Sequence, residues 1–182
     1  FGRILSEVST LSKTAGKIGV TTEELSGLRY AAELTGVSSQ TMDMALQRFT
    51  RRASEAALGT GEAKDALKEL GLDAESLIKL PLDTQMGLVA DAMQGLGTQS
   101  DRVRIAMKLF DSEGVALVNT LAGGSAALSD MTDEAEELGI TLSQVDAKAI
   151  EDANDAFARA KTADMGVVQA MTCLLNPTHR TD

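Results

Sequence analysis

The sequence predicts an all-α fold, an array of about nine short helices ending in a longer C-terminal helix. Three observations predict it. The apolar residues are Ala, Leu, Val, Ile and eight Met, with four Phe, one Tyr and no Trp; Ala, Leu and Met are strong helix formers. Only two prolines, Pro81 and Pro177, interrupt 182 residues, so little forbids helix elsewhere. The third observation is a repeated junction of glycine, one aliphatic residue and a short polar residue. Its copies are Gly19-Val20-Thr21, Gly36-Val37-Ser38, Gly71-Leu72-Asp73 and Gly139-Ile140-Thr141.

Each part of that junction has a physical task. Glycine takes the left-handed conformation that ends a helix. The aliphatic residue packs back on the helix just finished or staples the next one. The polar side chain accepts from the free N–H groups at the next helix start. Thr21 has Glu24 three residues on, the spacing of a capping box. In the fourth copy Ser143, followed by Asp146, is the better cap. Short connections of this kind fold consecutive helices into hairpins or corners.

Between junctions the apolar spacing is helical. Leu25, Leu28 and Ala32 form one stripe, and Met42, Ala45, Leu46, Phe49 and Ala53 the next. Ala63, Ala66, Leu67 and Leu70 fit a short helix after the Gly59-Thr60-Gly61 break. Asp73 caps a helix from Ala74 to Leu80, ended by Pro81. Met86, Val89, Met93 and Leu96 lie on another. Thr98 caps a helix whose inner face is Val103, Ala106, Met107 and Phe110. Glu113 to Leu121 follows the Asp111-Ser112 corner. The last, long helix runs from about Gln144 past Lys161, with Ala149, Ala153, Ala156, Phe157 and Ala160 inward. This thin, Ala-rich stripe suits close packing on a helix of a second chain. Gly123-Gly124-Ser125 reads as a loose link. It divides the chain into residues 1–122, a multi-helix region, and 126–182, a helical hairpin or arm.

The charge is −10, from 27 acids against 17 bases. That field repels a phosphate backbone, so no specific nucleic-acid binding is expected. A single cysteine, Cys173, excludes an intrachain disulfide and fits a reducing compartment. No segment reads as a signal peptide, and no run approaches the roughly 20 apolar residues of a membrane span. A start at Phe1 rather than Met points to a fragment.

Gly59-Thr60-Gly61-Glu62 precedes a helix but lacks the Lys and Ser/Thr of a phosphate loop; it reads as a flexible helix break. Arg48, Arg51 and Arg52 share one helical face. With no interleaved aromatics, that face reads as solvated rather than as a phosphate grip. Glu134, Glu136, Glu137, Asp146, Glu151, Asp152 and Asp155 lie on polar helical faces. They lack the apolar pocket of a glycosidase pair, and the glycine and closing Glu of a calcium loop. His179, the only histidine, lies near the end beyond Pro177 and reads as a frayed tail. Cys173 reads as a small core residue. The eight methionines read mainly as core filling, against a plastic partner surface. No catalytic, cofactor-binding or metal-binding residue is assigned, and no enzyme activity is expected.

One further signal lies in the string itself. The run Thr22-Glu23-Glu24-Leu25-Ser26-Gly27-Leu28-Arg29-Tyr30-Ala31-Ala32-Glu33-Leu34-Thr35-Gly36-Val37-Ser38 resembles tape-measure proteins of long-tailed phages and prophages. More pieces follow in the family's order: Ala66 to Leu72, the Met86 to Met93 helix, Ala106 to Phe110 leading to Gly114, Leu138 to Ile140, and Asn154 to Phe157. The resemblance covers about residues 1–164; it rests on the ordered set, no single piece being specific. The family commonly has glycine after the Phe110-type residue, where this chain has Asp111. The end, Met171 to Asp182, does not resemble the family's continuing helix.

The resemblance implies a virion structural role. Several long helical chains would fill the tail tube, set its length during assembly, and leave before DNA enters the host. Implied partners are other copies and the tail-tube, tail-tip and chaperone proteins. The implied location is the virion tail, and the host cytoplasm during assembly. Two other roles compete: a bacterial helical adaptor using the Arg48 face, and an enzyme domain, because some full-length members carry lytic domains elsewhere.

Overall fold

The computed structural model describes residues 2–141, 149–150, 152–153, 155–156 and 158–163, with side-chain surroundings from residue 8 on. The chain is all-α. Among the described residues the elements are α1 (Gly2–Ile18), α2 (Thr22–Leu34), α3 (Ser39–Ala57), α4 (Ala63–Glu69), α5 (Ala74–Leu77), α6 (Leu82–Gln94), α7 (Gln99–Phe110), α8 (Gly114–Leu121) and α9 (Gly124–Glu137). A single 3-10 turn, Asp111–Glu113, joins α7 to α8.

The four junctions form as their chemistry dictates. Gly19, Gly36, Gly71 and Gly139 all sit at positive φ. At each, the aliphatic residue's N–H reaches back to a carbonyl five residues earlier: Val20 to Ala15, Val37 to Ala32, Leu72 to Leu67 and Ile140 to Ala135. This is the Schellman closure of a helix end. The next helices start on side-chain caps. Thr21 and Glu24 form a reciprocal capping box, and Ser38, Asp73 and Thr98 accept from Thr41, Ser76 and Asp101. Ser143 and Asp146 lie outside the described residues.

The longest described helix, α3, lies at the centre and packs against α1, α2, α4, α5 and α7. Its buried face is Met42, Ala45, Leu46, Phe49, Ala53 and Ala56. Phe49 stacks on Phe110 of α7 with ring centroids 5.3 Å apart. The α2 stripe, Leu25, Leu28 and Ala32, is fully buried, as are Met86, Val89 and Ala90 of α6. Arg29 clamps α2 to α3 by a two-pronged pair with Asp43, at 2.8 and 2.6 Å.

Four expectations need correction. On α7, Ile105, Ala106, Leu109 and Phe110 are buried, while Met107 is 46% exposed. Both stripes fit a helical period; α3 and α4 on one side and α8 on the other decide which is covered. The helix begun at Asp73 ends at Leu77 rather than Leu80, and Pro81 instead holds the N-cap position of α6. The Gly123 to Ser125 link is pinned. Ser125 donates its N–H to Asp91 at 2.7 Å, Gln94 donates to the Ala122 carbonyl, and α9 packs on α2 and α6. Residues 124–137 thus join the same core through Leu128. Finally, Ala149, Ala153, Ala156 and Ala160 are exposed rather than inward. The long last helix itself is not established, because residues 142–148, 151, 154, 157 and 164–182 lie outside the described residues.

Candidate functional site

The densest polar constellation is built by the arginine face of α3. The period of 3.6 residues brings Arg48 and Arg52 to one side of the helix, facing the corner between α7 and α8. Arg52 is 8% exposed. It donates to the carbonyls of Met107 at 3.0 Å and Lys108 at 2.7 Å. Those carbonyls belong to the last turn of α7, where the helix dipole favours a cation; the Met107 carbonyl also accepts from the Asp111 N–H. Arg52 also pairs with Glu62 and Asp111, each at 3.3 Å. Arg48 pairs with Glu113 at 2.6 Å and Asp111 at 3.2 Å, and donates to the Ser112 hydroxyl. Arg51 points elsewhere and pairs with Glu55 on its own helix.

The face expected to be solvated is therefore largely engaged within the chain. Arg51 alone fits the solvated reading, with 58% of its side chain exposed. The Gly59 to Glu62 segment is shaped rather than loose: Gly59 and Gly61 hold positive φ, and Thr60 bonds back to the Glu55 carbonyl through both N–H and hydroxyl. Its Glu62 carboxylate serves Arg52.

Two corner residues escaped sequence reasoning. Asp111 has φ 63° and ψ −144°, a conformation suited to glycine. Among the described residues it is the one non-glycine at positive φ, and such a residue costs on the order of 1–3 kcal/mol. The signal was present, since the resemblance expects glycine at this position. Gly114, where α8 begins, lies so close to α7 that a Cβ would overlap the Ala106 carbonyl.

The remaining candidates do not converge. Partial burial and the neighbouring Glu134 carboxylate push the Tyr30 phenol above its ordinary value. Asp152 and Asp155 are exposed. Asp146, Glu151, Cys173 and His179 lie outside the described residues, as do Met165 and Met171. Met42, Met86 and Met93 are buried core residues, Met131 is partly buried against the core, and Met44 and Met107 are exposed.

Among the described residues, three open grooves bear on the site. One of about 320 Å³ lies between α6, α7 and α8. Its ionisable lining residue, Arg102, is committed to the Met93 and Leu96 carbonyls that end α6. A second, about 270 Å³, contains Asp83 and Asp91 beside Leu28 and Leu128. Hydrogen bonds from the Ser125 N–H and hydroxyl hold the Asp91 carboxyl below its ordinary value. A third, about 220 Å³, gathers Glu23, Glu24, Asp83, Asp133 and Glu136, but Glu24 already serves the capping box. In the second groove the Ser125 hydroxyl does meet the Asp91 carboxylate, but that carboxylate also holds the Ser125 N–H at the start of α9. Among the described residues no three His, Cys, Asp or Glu side chains come together as a metal group, and no helix is long and apolar enough to cross a membrane.

Comparison of the chain with family models, curated proteins and solved structures finds no match.

Proposed function

We propose that this chain is part of a phage or prophage tail tape-measure protein, a helical structural element that sets tail length during assembly and leaves the tube on DNA ejection. The ordered string of segments from Thr22 to Phe157 carries the reading. The physical form suits it. Helices that end on glycine hinges and restart on side-chain caps can be laid end to end without new backbone chemistry. At 1.5 Å per residue, 182 residues would span at most about 270 Å. In this reading the isolated piece is compact and opens within the tube, where its neighbours are other copies and the tail-tube and tail-tip proteins. The chain has no reaction of its own. An adaptor role through the Arg48 face has less support, because Arg48 and Arg52 are paired with Glu113, Asp111 and Glu62.

The test is tail length. Removing the α6 to α9 codons in frame from the parent phage gene should shorten assembled tails by about 1.5 Å per residue deleted, read by electron microscopy of the virions. Tails of unchanged length would overturn the ruler. Small-angle scattering of the isolated chain addresses its shape, and a fully extended particle would refute the compact state.

A further inference from the structure

The corner between α7 and α8 is held by charge against its own backbone. Asp111 sits at φ 63° and ψ −144°, close to a region that is essentially glycine's alone. Its carboxylate lies between two arginines of α3, 3.2 Å from Arg48 and 3.3 Å from Arg52. Arg48 is held in turn by Glu113, and Arg52 by Glu62 and the last carbonyls of α7. Two cations on one helix thus meet three carboxylates from the glycine loop and the corner. Gly114 packs against the Ala106 carbonyl with no room for a side chain. The close approach of α8 to α7 therefore depends on the corner keeping this shape.

We infer that this corner is an electrostatic latch: the pairs from Asp111 to Arg48 and Arg52 hold a strained turn closed, and weakening them releases α7 and α8 before the rest of the core. Relaxation of Asp111 to negative φ rotates α8 away from α7. The side chain of Asp111 is 46% exposed and that of Glu62 73%, so salt reaches the clasp and screens it. The α2 helix depends on charge less: its ion pair to α3, Arg29 with Asp43, is more shielded, with side chains 18% and 14% exposed. Its start is a neutral hydroxyl and a local carboxylate, and its end is backbone closure at Gly36. The inference stands on the corner's geometry alone and holds whether or not the chain belongs to a phage tail.

Amide exchange of the whole chain at about 0.05 M and about 1 M sodium chloride tests it, these salts spanning long and short screening lengths. Wild-type amides within residues 105–118 should exchange roughly tenfold faster at high salt, and those within 25–32 less than about twofold. Asp111→Gly takes the same backbone without strain and lacks the carboxylate, so its 105–118 amides should respond less than about twofold. Arg48→Gln at low salt should match the wild type at high salt. Equal salt responses in wild type and Asp111→Gly, or in α2 and α7, would overturn the latch. So would Arg48→Gln exchange indistinguishable from wild type at low salt.

Discussion

The chain turns between helices in two ways, and they differ in what holds them. At Gly19, Gly36, Gly71 and Gly139 each turn is closed by its own backbone, within six residues. At Asp111 the turn is held from outside, by Arg48 and Arg52 on a helix some sixty residues upstream. The first kind is autonomous and survives in any context that leaves the helix intact. The second exists only while α3, α4 and α7 are assembled. A helical chain built from the first kind alone would be a string of hinges; the Asp111 corner ties the turn between α7 and α8 to α3.

The largest expected effect lies at the dependent corner. Gly114→Ala places a Cβ on the Ala106 carbonyl, and backbone cannot move aside as a flexible side chain can. Overpacking of this severity should cost about 3 kcal/mol, read as a shift of the urea midpoint. A change below half of that would mean the corner is softer than its geometry says. Next comes Arg52→Met, which keeps the length and removes the charge. It leaves the Met107 and Lys108 carbonyls without their shared cation and should cost about 2 kcal/mol, the range for a hydrogen bond to a charged group. A neutral result would assign those carbonyls to solvent and break the claim that α3 holds this turn.

The same contrast explains what could be read in the sequence. The glycine junctions were legible because every interaction that defines them lies within a few consecutive residues. Thr21, Ser38 and Asp73 cap as their spacing requires. The buried face of α7 is not legible at Met107, because a helix with apolar residues at 103, 105, 106, 107, 109 and 110 offers two overlapping stripes. Only the positions of α3 and α8 choose between them. The arginine face was found as a face, but its role was hidden for the same reason. Its carboxylates come from Glu62, Asp111 and Glu113, and no local pattern joins those to Arg48. The link at Gly123 looked loose because its anchor, Asp91, lies over thirty residues away. Of the conformation at Asp111 one trace was visible: the glycine that the tape-measure resemblance expects there.

The autonomous turns make a smaller, cleaner prediction. A Cβ at Gly36 meets nothing within 4 Å, so Gly36→Ala tests conformation without sterics. The left-handed φ of 83° should cost about 1 kcal/mol, with amide exchange changed only near residues 32–38. Gly16 is the control. It lies inside α1 with open space around it and no positive φ, so Gly16→Ala should stabilise by roughly 0.5–1 kcal/mol through helix propensity. Equal effects of the two substitutions would remove the distinction between hinge and helix glycines.

The smallest effect is a pH dependence confined to caps and links. Asp73 is held below its ordinary value by the Ser76 hydroxyl and N–H, Asp101 by the Thr98 hydroxyl and then Arg104, and Asp91 by Ser125. A carboxyl whose folded value lies below its unfolded one stabilises the fold fully above the unfolded value, near 3.9. That stabilisation is lost as pH falls through that value toward the lower folded one. The glycine closures contain no titrating group and keep their strength throughout. Between about pH 5 and pH 3, the starts of α5 and α7 and the α8–α9 link should therefore loosen before the ends of α1, α2 and α4. Asp91→Asn sharpens the test, because its amide oxygen still accepts from Ser125 but cannot titrate. That variant should be less stable than wild type at neutral pH, with a shallower decline of melting temperature on acidification. An identical slope would mean that Asp91 contributes nothing through its charge and that the link to α9 rests on apolar packing alone.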